Sequence, residues 1–561
     1  MKTIIIGGVA AGMSAATRLR RLDEDAQIVV LERGPYVSFA SCGLPYHVGG
    51  IIEDRQSLLL QTPASLAARF ALDVRVGHEV VDIDATAKTV TIREGASGTV
   101  STERYDALVL AAGSTTTTRT STSSDGLPWH TLRSVDDVDR VDEVLARSTG
   151  PVRAVVVGGG FIGVEAVENL LARGVTVTLV QRGPQVFPPL DPEMVQPVVD
   201  ALGAAGVDIR TGTTVTSTLA DRVVLSDGSS VPADLVVDAS GVSPETVLAR
   251  RAGIALGPTG GIAVDAHQRT SDPSVWAAGD GVEKVDAVSA EPTLVTMAGL
   301  TNRHGRAVAD AICGLTTRGA SSALGTSVVA VLGLTVATVG WNERRLAAAG
   351  RAYRAIHTHP LSHAGYFPGA APMALKLLVD PADDALLGAQ VVGTDGVDKR
   401  IDVIATAMSA GVSASGLAHL ELAYAPQYGS AKDPVNMAGY VAENLANGVV
   451  ATVQWHELAD EQRRGATVVD VRTPAEHAAG AIPGSVHVPL DDLRRDHHLL
   501  PAGPLVVHCH VGQRGHTAAR LLTQLGHDVR NLDGGWKTWR AGTVAVGTRT
   551  GAPSEPAAVR P

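Results

Sequence analysis

The chain has 561 residues, of which 45% are hydrophobic and 19% are charged. This length predicts several domains rather than one core, and the composition is that of a folded globular protein. The formal net charge of −11 argues against nucleic acid as the main partner, because a phosphate-binding surface must be basic. No apolar run reaches the roughly 20 residues that a membrane span needs, so we expect no membrane partner.

The cysteine content indicates the redox compartment. Three cysteines in the whole chain cannot form a disulfide framework, which favours a reducing environment. Met1 and Lys2 lead directly into an apolar strand at residues 3–6, so we expect no signal peptide. The sequence therefore predicts a cytoplasmic protein.

A dinucleotide-binding pattern opens the chain. The apolar strand is followed by Gly-Gly-Val-Ala-Ala-Gly at residues 7–12, a helix to about residue 22, and a second strand ending in Glu32. An acid about 20 residues after the last glycine completes the fingerprint, since it accepts a hydrogen bond from a ribose hydroxyl. The glycines let a pyrophosphate approach the helix N-terminus. The predicted contacts are Gly7, Gly8, Ala10, Gly12 and Glu32.

The same pattern returns at residues 154–180 as strand, glycine loop, helix and strand. Two such units imply two nucleotides, of which the first is expected to be FAD and the second NADH or NADPH. The predicted contacts of the second nucleotide are Gly158, Gly160, Gly163 and Glu165, with Phe161 as a candidate gate over the nicotinamide site.

The second unit lacks the acid that usually selects NADH. Gln181 and Arg182 stand at the end of its second strand. Neutral Gln181 removes the repulsion against a 2′-phosphate, and Arg182 could pair with one, which predicts tolerance of NADPH. The alternative, that Arg182 is an exposed residue without a role, stays open.

Further cofactor contacts are expected where other strands end. Gly113 follows an apolar strand, Gly241 opens a turn that could lie against the nicotinamide, and Asp280 ends the strand that begins near residue 275. A helix is predicted over residues 293–312. Its N-terminal part, which includes Ala298, would stabilise negative charge on a reduced flavin.

A cysteine lies shortly after the first dinucleotide unit, in Ser-Phe-Ala-Ser-Cys-Gly-Leu-Pro-Tyr at residues 38–46. Gly43 and Pro45 give Cys42 a turn environment, so it is either a redox nucleophile or a small buried hydrophobic residue. Cys313 falls at the end of the predicted helix on an apolar stripe, and we interpret it as structural.

The composition changes twice in the second half. Residues 325–445 alternate strands with two Ala-rich helices, which predicts a separate α+β domain. From residue 451, short strands joined by helical segments predict a small parallel sheet. Cys509 stands between a strand and a helix, where backbone N–H groups and the helix dipole favour a thiolate. The Pro/Ala/Thr/Gly-rich segment after residue 542 is predicted to be disordered.

At this point the residues resemble a known family. The first 445 residues are similar to the single-cysteine pyridine nucleotide–disulfide oxidoreductases, and most similar among them to the coenzyme A disulfide reductases. The resemblance is carried by the two glycine loops, by residues 38–46, and by the segments at 363–366, 423–428 and 430–436. It implies a homodimer in which two tyrosines, here Tyr366 and Tyr424, reach the active site of the partner subunit.

The lone cysteine has a chemical consequence. Relatives of the glutathione reductase type carry a second cysteine five residues further on, and none follows Cys42 here. Cys42 must therefore cycle through a mixed disulfide or a sulfenic acid. Oxidase and peroxidase relatives place a His in the first glycine loop, which this loop lacks, so thiol substrates are favoured over peroxide or oxygen.

The resemblance also implies a coenzyme A site. Its positions are occupied by Ser14, Arg18, Arg21, Ser38, Ser41 and Lys432. The two arginines could form charge-assisted contacts with phosphates, and the alternative, a solvated helix face, stays open. Ser41 stands where the family usually has Asn, which weakens the coenzyme A assignment slightly.

Residues 453–542 resemble a rhodanese domain. The carriers are Val-Asp-Val-Arg at 469–472, Gly-Ala-Ile-Pro-Gly-Ser at 480–485, and Cys-His-Val-Gly-Gln-Arg-Gly at 509–515. The resemblance implies that Cys509 carries a persulfide and that Arg514 adds positive charge to its loop. A phosphatase has a similar loop, but attachment to a disulfide reductase favours sulfur transfer.

The predicted architecture is α/β, with two Rossmann-like dinucleotide-binding domains, an α+β dimerisation domain and a rhodanese-like α/β domain. The expected boundaries are 1–114 with 240–322 for FAD, 115–239 for NAD(P)H, 323–447 for dimerisation, 453–545 for rhodanese, and 546–561 for a disordered tail. The expected function is FAD-dependent reduction of coenzyme A disulfides, persulfides or polysulfides, with no metal. Two alternatives stay open: an NADH oxidase or peroxidase that uses a Cys42 sulfenic acid, and a sulfur carrier or redox sensor.

Overall fold

The structure is a computed structural model that describes residues 1–116, 126–148, 150–315, 319–320 and 322–549. Its contacts divide the chain into two compact units. The first contains residues 1–182 and 207–325, and the second contains residues 183–206 with the chain from 326 onward. None of the described helices is long and apolar enough to cross a membrane.

The first unit opens with a parallel sheet of five strands, in the order Val275–Ala277, Ala107–Leu110, Lys2–Ile6, Gln27–Glu32 and Asp73–Val76. The strands of the chain up to residue 116 are β1 (Lys2–Ile6), β2 (Gln27–Glu32), β3 (Asp73–Val76), β4 (His78–Asp84), β5 (Thr89–Glu94), β6 (Val100–Arg104), β7 (Ala107–Leu110) and β8 (Ser114–Thr116). The helices of this stretch are α1 (Ala10–Leu22), α2 (Leu44–Val48) and α3 (Pro63–Phe70). The strand β1 is buried from Thr3 to Ile6 because both faces of the sheet are covered, as is usual for parallel sheets.

A second parallel sheet, in the order β12–β11–β10–β16–β9, forms the other nucleotide-binding fold of this unit. The elements of residues 129–244 are, in chain order, β9 (Trp129–His130), α4 (Val135–Arg147), β10 (Arg153–Val157), α5 (Phe161–Ala172), β11 (Thr176–Gln181), α6 (Pro192–Ala204), β12 (Asp208–Thr211), β13 (Val215–Thr218), β14 (Arg222–Leu225), β15 (Ser230–Pro232), β16 (Leu235–Asp238) and β17 (Val242–Pro244). Two antiparallel three-stranded sheets, β4–β5–β6 and β13–β14–β15, flank the parallel ones.

The chain then returns to the first sheet. The elements are α7 (Val247–Arg251), β18 (Val275–Ala277), β19 (Lys284–Val285), β20 (Pro292–Thr293) and α8 (Ala298–Ile312). The strand β18 pairs in parallel with β7, so two distant parts of the sequence share one sheet. The helix predicted from residue 293 begins at Ala298, because residues 292–293 pair with β19 as a short strand.

The second unit contains an antiparallel sheet in the order β21–β22–β25–β24–β23. Its elements are β21 (Ser327–Val331), β22 (Leu334–Gly340), α9 (Glu343–Ala348), β23 (Arg354–Thr358), β24 (Met373–Val379), β25 (Leu386–Gly393), α10 (Val397–Ser409) and α11 (Pro434–Ala446). The helix α6 belongs to this unit by its contacts, although it lies within the predicted nicotinamide domain. Buried polar contacts of α6, described below, account for this grouping.

A five-stranded parallel sheet, in the order β26–β30–β29–β27–β28, completes the second unit. Its elements are β26 (Thr452–Val453), α12 (Leu458–Arg463), β27 (Thr467–Asp470), α13 (Pro474–Ala478), β28 (Val486–His487), α14 (Leu490–Asp496), β29 (Leu505–His508), α15 (Gln513–Gln524), β30 (Val529–Leu532) and α16 (Gly535–Arg549). The predicted tail starts at residue 546, but α16 continues to Arg549, and residues 550–561 lie outside the described part.

Candidate active sites

The first cysteine lies on a single turn of 3₁₀ helix, Ser41–Gly43, that leads directly into α2. Cys42 is free and exposed. The pKa of its thiol is nevertheless raised, because partial desolvation and the carboxylates of Glu165 and Asp280 outweigh a hydrogen bond from Ser41. The local environment therefore works against the thiolate, and Ser41 is the residue that favours it.

The helix α2 packs against α5, which carries the second glycine loop. The Tyr46 hydroxyl donates to Glu165 at 3.2 Å, and Arg173 donates to the Val48 carbonyl at 2.9 Å. Gly49 lies so close to Asn169 that an added Cβ would be 2.1 Å from its side-chain oxygen. The cysteine segment is thus attached to the helix expected to receive the nicotinamide nucleotide.

Tyr46 and Glu165 form the polar part of that attachment. Burial and the carboxylate of Glu168 raise the pKa of Glu165, while the Tyr46 hydrogen bond lowers it, and the net direction is upward. Desolvation and Glu165 raise the pKa of Tyr46 to about 12. Sequence reasoning placed Glu165 at the cofactor but did not assign Tyr46 a role, although the residue stands in the motif that identified Cys42.

The first glycine loop closes on Glu32. One carboxylate oxygen of Glu32 accepts from the Gly8 amide and the other from the Gly34 amide, both at 2.8 Å. Gly7 has a φ of 104°, and an added Cβ there would be 2.3 Å from the Ala111 carbonyl oxygen. A Cβ at Gly12 would be 1.9 Å from the Gly7 oxygen. This tight strand–loop–helix turn fits a dinucleotide pyrophosphate at the N-terminus of α1. Ala10 begins that helix.

The opposite side of the same fold gathers Gly113, Asp280 and Ala298. Gly113 has a φ of 73° and open space where a Cβ would stand. The Asp280 carboxylate accepts from Thr301 at 3.2 Å and from Ser114 at 3.3 Å, which fixes it beside α8. No side chain in the described part of the chain caps the N-terminus of α8 at Ala298. These residues fit a flavin whose polar ring edge meets an acid and a helix N-terminus.

The second loop repeats the design with an amide in place of the acid. The Gln181 side-chain oxygen accepts from the Gly159 amide at 2.9 Å, in the manner of Glu32 and Gly8. Gly158 has a φ of 105°, and a Cβ at Gly163 would be 1.8 Å from its carbonyl oxygen. Gly160 faces open space. Arg182 is exposed, Phe161 is partly buried, and Gly241 has a φ of 130°.

The predicted coenzyme A residues on α1 already have partners. Ser14 donates to Asn302 at 2.6 Å, Arg18 pairs with buried Asp310 at 2.7 Å, and Arg21 lies over the Phe70 ring. Ser38 holds a φ of 48°, which is unusual for a residue with a Cβ. Sequence reasoning missed the two α8 partners, because nothing in the spacing links residues 14 and 302. The structure therefore pairs the Arg18 charge with an acid, whereas Arg21 is exposed and contacts only a ring among the described residues.

In the second unit the two tyrosines of the resemblance are neighbours. The hydroxyls of Tyr366 and Tyr424 are 2.8 Å apart. The exposed fraction of the residue is 77% for Tyr366 and 48% for Tyr424. The hydrogen bond that Tyr424 shares with Tyr366 raises the pKa of Tyr424. Other large exposed residues accompany them on this part of the unit: Leu361, Phe367 and Tyr428. Lys432 is also exposed.

The second reactive cysteine lies at the end of β29, in a loop that leads into α15. Cys509 is buried, and its Sγ accepts from the Gly512 amide at 3.2 Å. Arg514 forms a two-fold pair with Glu476 at 2.6 and 2.8 Å, and this pair lowers the pKa of Glu476 to about 2. The positive charge that the resemblance assigns to the loop, that of Arg514, is therefore paired with the Glu476 carboxylate.

A buried polar group lies beneath that loop. Arg472 binds both oxygens of Asp470, and His477 reaches the same carboxylate at 2.9 Å. Burial lowers the pKa of His508, the residue before Cys509, to about 4, so this imidazole is neutral in the physiological range. These contacts fix the C-terminal end of β29 and the start of the loop.

A second buried network lies around Lys376. Its ammonium is 2.8 Å from Asp191, 2.5 Å from Glu193 and 2.9 Å from Glu343. The three carboxylates lie within 4.8 Å of one another, and the lysine ammonium contacts all three. This network was not predicted, because its members are spread from α6 to β24.

The third cysteine supports a structural interpretation. Cys313 is partly buried and packs at the edge of the core beside Ile312. Burial and the carboxylates of Asp23 and Asp310 raise the pKa of its thiol. We find no reactive environment around it.

Comparison with known proteins agrees with this arrangement. Residues 1–299 match the family model of pyridine nucleotide-disulphide oxidoreductases, and residues 326–434 match the dimerisation domain of the same family. The chain belongs to this family. Residues 454–542 match a rhodanese-like domain. The resemblance stated from the sequence, its fold class and the enzyme class are thereby confirmed.

Two curated relatives are named coenzyme A disulfide reductase. The protein of Staphylococcus epidermidis is 31% identical over 442 residues, and that of Staphylococcus haemolyticus is 32% identical over 444 residues. Each match covers 79% of this chain and the whole relative.

Two solved structures extend over both parts. The reduced CoADR-RHD of Bacillus anthracis has a TM-score of 0.94 and 43% identity, and 98% of each chain is covered. A NAD-dependent persulfide reductase from A. fulgidus has a TM-score of 0.90 and 35% identity, with 96% of this chain and 100% of that chain covered. The chain is thus an oxidoreductase of this family with an appended rhodanese domain, and the family implies FAD and a nicotinamide nucleotide.

Proposed function

We propose that this protein is an NAD(P)H-dependent reductase of coenzyme A disulfides, persulfides or polysulfides, to which the rhodanese domain supplies sulfane sulfur. The observation that carries the proposal is Cys42: a free, exposed thiol without a second cysteine in its motif, on a segment attached to the second nucleotide helix. The names of the Staphylococcus and A. fulgidus relatives support the same substrate class.

The chemistry follows from a single thiol. The Cys42 thiolate attacks one sulfur of the substrate, a Cys42–sulfur bond forms, and the substrate S–S bond breaks with its electron pair on the leaving thiolate. Two electrons from NAD(P)H and one proton then release the second thiol or hydrosulfide and restore Cys42. Bound FAD would supply the electron pair to the thiol site.

The residues of this chain have distinct tasks in that cycle. Ser41 favours the Cys42 thiolate, whereas Glu165 opposes it. We propose that the chain is a homodimer, and that the leaving thiolate receives a proton from the partner's Tyr366 or the partner's Tyr424. Their exposed, mutually hydrogen-bonded hydroxyls support this role.

The coenzyme A site is proposed on the α1 face and the cysteine loop, with Ser14, Arg18, Arg21, Ser38 and Ser41, and with Lys432. Because Arg18 is paired with Asp310, Arg21 is the cation of this face best able to receive a phosphate. Three free thiols suit a reducing compartment, so we retain the cytoplasm as the proposed location.

We propose that the enzyme accepts NADPH as well as NADH. Gln181 satisfies the Gly159 amide without a negative charge, and Arg182 is exposed at the same strand end. Steady-state kinetics with both nucleotides test this. Arg182→Ala should raise KM for NADPH and leave KM for NADH unchanged.

Cysteine variants test the main proposal. Anaerobic oxidation of NADPH by coenzyme A persulfide should be abolished in Cys42→Ser and retained in Cys509→Ser, which should instead lose sulfur transfer from thiosulfate to cyanide. Persulfide-dependent turnover that survives in Cys42→Ser would make the proposal wrong. Faster turnover with peroxide or oxygen than with persulfide would favour the oxidase alternative. Sulfur transfer without any reductase turnover would favour the sulfur carrier.

A further inference from the structure

The short segment between β30 and α16 touches the sulfurtransferase loop on one side. The Trp536 amide donates to the Cys509 carbonyl at 2.8 Å, and the Lys537 amide donates to the His510 carbonyl at 2.9 Å. Gly535 has a φ of 62°, and an added Cβ would be 2.5 Å from the Cys509 oxygen. The first turn of α16 is therefore fixed directly against the cysteine loop.

The other side of the same segment touches β23 of the dimerisation domain. The Asp533 carboxylate accepts from the His357 backbone amide at 3.0 Å and lies 2.6 Å from its Nδ1. Nε2 of His359 lies 2.8 Å from the Thr538 hydroxyl, and Thr538 is buried. Gly534 approaches His357 so closely that an added Cβ would be 2.8 Å from the histidine Cβ. Two histidines of one domain thus hold the segment that supports the reactive loop of another.

Lys537 is a cation of this region without an anionic partner among the described residues. It is the only lysine after residue 432 in the sequence. Within the described part of the chain its ammonium makes no hydrogen bond or ion pair, whereas the nearby Arg514 is paired with Glu476. Burial lowers the pKa of Lys537, and its charge in turn contributes to the low pKa of His359 and of His510. An anion bound beside Lys537 would offset the desolvation of this partly buried ammonium.

We propose that Lys537 binds the anionic sulfane-sulfur donor of Cys509, and that His359 of the dimerisation domain is the positioning residue that fixes Lys537 through Thr538. This rests on the proposed sulfur-transfer function and adds a binding group to it. In the transfer itself, the Cys509 thiolate attacks the outer sulfur of the donor. With thiosulfate, a Cys509–sulfur bond forms, the bond to the SO3 group breaks, and sulfite leaves with the electron pair.

The first experiment separates anion binding from sulfur transfer. Alkylation of Cys509 in the full-length protein is followed by peptide mass spectrometry with anionic iodoacetate and neutral iodoacetamide. Lys537→Gln should lower the ratio of the iodoacetate rate to the iodoacetamide rate by about tenfold, the effect of losing one charge-assisted contact. Lys537→Arg should preserve most of the ratio. The matched control is Arg540→Gln, which removes an exposed cation three residues further along α16 and should leave the ratio unchanged.

His359 is tested in the same assay. His359→Ala should lower the iodoacetate ratio about threefold, and His359→Gln, which retains a side-chain amide for Thr538, should restore part of it. A merely structural role would change both alkylation rates together and would leave their ratio unchanged. That outcome would overturn the positioning role.

Steady-state sulfur transfer from thiosulfate to cyanide supplies the second measurement. Lys537→Gln should raise KM for thiosulfate about tenfold with little change in kcat. An unchanged ratio of alkylation rates together with an unchanged KM would refute the proposal, and if neither reagent reaches Cys509, KM decides. A reduced alkylation ratio in a protein that transfers no sulfur from thiosulfate would retain the anion site and refute the proposed sulfur-transfer function instead.

Discussion

The two cysteines proposed to react, Cys42 and Cys509, occupy opposite kinds of environment. Cys42 is exposed on a single 3₁₀ turn, and nearby carboxylates oppose its ionisation. Cys509 is buried, and its sulfur accepts a backbone N–H and lies beside the Arg514 guanidinium. One thiol therefore lies beside two carboxylates, and the other lies beside a backbone N–H and a cation.

The difference suits the two chemical tasks. A thiol that is released from a mixed disulfide in every cycle must be accessible to a reductant and to a large substrate. A thiol that carries a persulfide needs donors around an anionic sulfur that is kept from solvent. The difference also predicts that changes of single charges will act in opposite directions at the two sites.

The largest effect is expected at the anchoring of the Cys509 region. Burial alone would lower the pKa of His357, but the charge of Asp533 and the hydrogen bonds to Asp533 and Glu193 raise it to about 9. Because this pKa lies above its unfolded value of about 6.5, the stabilisation is complete below that pH and is lost as pH rises through about 9. The loss should reach about 3 kcal/mol in the free energy of local unfolding.

Hydrogen exchange of the β30–α16 segment between pH 6.5 and 9.5 measures this. Exchange rates corrected for intrinsic pH dependence should rise in the native protein, and His357→Gln should remove most of that rise. The control region is the β1–β2 pair of the first unit, which contains no comparable buried histidine contact. A rise of equal size in the variant would show that His357 is not the titrating group.

The second prediction concerns Cys42. Glu165→Gln removes a negative charge that raises the pKa of the thiol, so the midpoint of the pH dependence of Cys42 alkylation should fall by about one pH unit. Peptide mass spectrometry of alkylated Cys42 across the pH range measures this midpoint.

The matched control for that variant is Tyr46→Phe, which keeps the Glu165 charge and removes only its hydroxyl partner. Because Glu165 still carries its charge in the alkaline range where Cys42 ionises, the Cys42 midpoint in Tyr46→Phe should stay close to the native value. A fall as large as that in Glu165→Gln would show that the Glu165 charge is not what raises the pKa of Cys42.

Most of the fold and of the motif residues followed from local sequence patterns. The two glycine loops are local motifs, so the turns at Gly7 and Gly158 were predicted together with their flanking strands. The partners Asn302, Asp310 and Lys376 were not predicted, because each is brought to its site by contacts between residues more than 150 positions apart. Sequence spacing carries no information about such pairs without a covariation signal.

Lys537 and His359 illustrate what a sequence pattern leaves out within a site that it otherwise locates. The motif around Cys509 identifies the loop, and Arg514 lies inside that motif. Lys537 lies on the following helix, and His359, which contacts the neighbouring Thr538, lies on another domain, so neither has a fixed spacing from the cysteine. The composition gave one usable signal, namely that Lys537 is the only lysine of its domain.

The smallest expected effect tests the same thiol in the opposite direction. Ser41 is the one residue whose hydrogen bond lowers the pKa of Cys42, against desolvation and two carboxylates. Ser41→Ala should therefore raise the midpoint of Cys42 alkylation by about half a pH unit, the effect of one exposed hydrogen bond to a charged group. Ser41→Asn, which retains a donor, should stay near the native value. If Ser41→Ala and Glu165→Gln moved the midpoint in the same direction, the opposition between serine and carboxylates at Cys42 would be wrong, and with it the electrostatic contrast between the two cysteines.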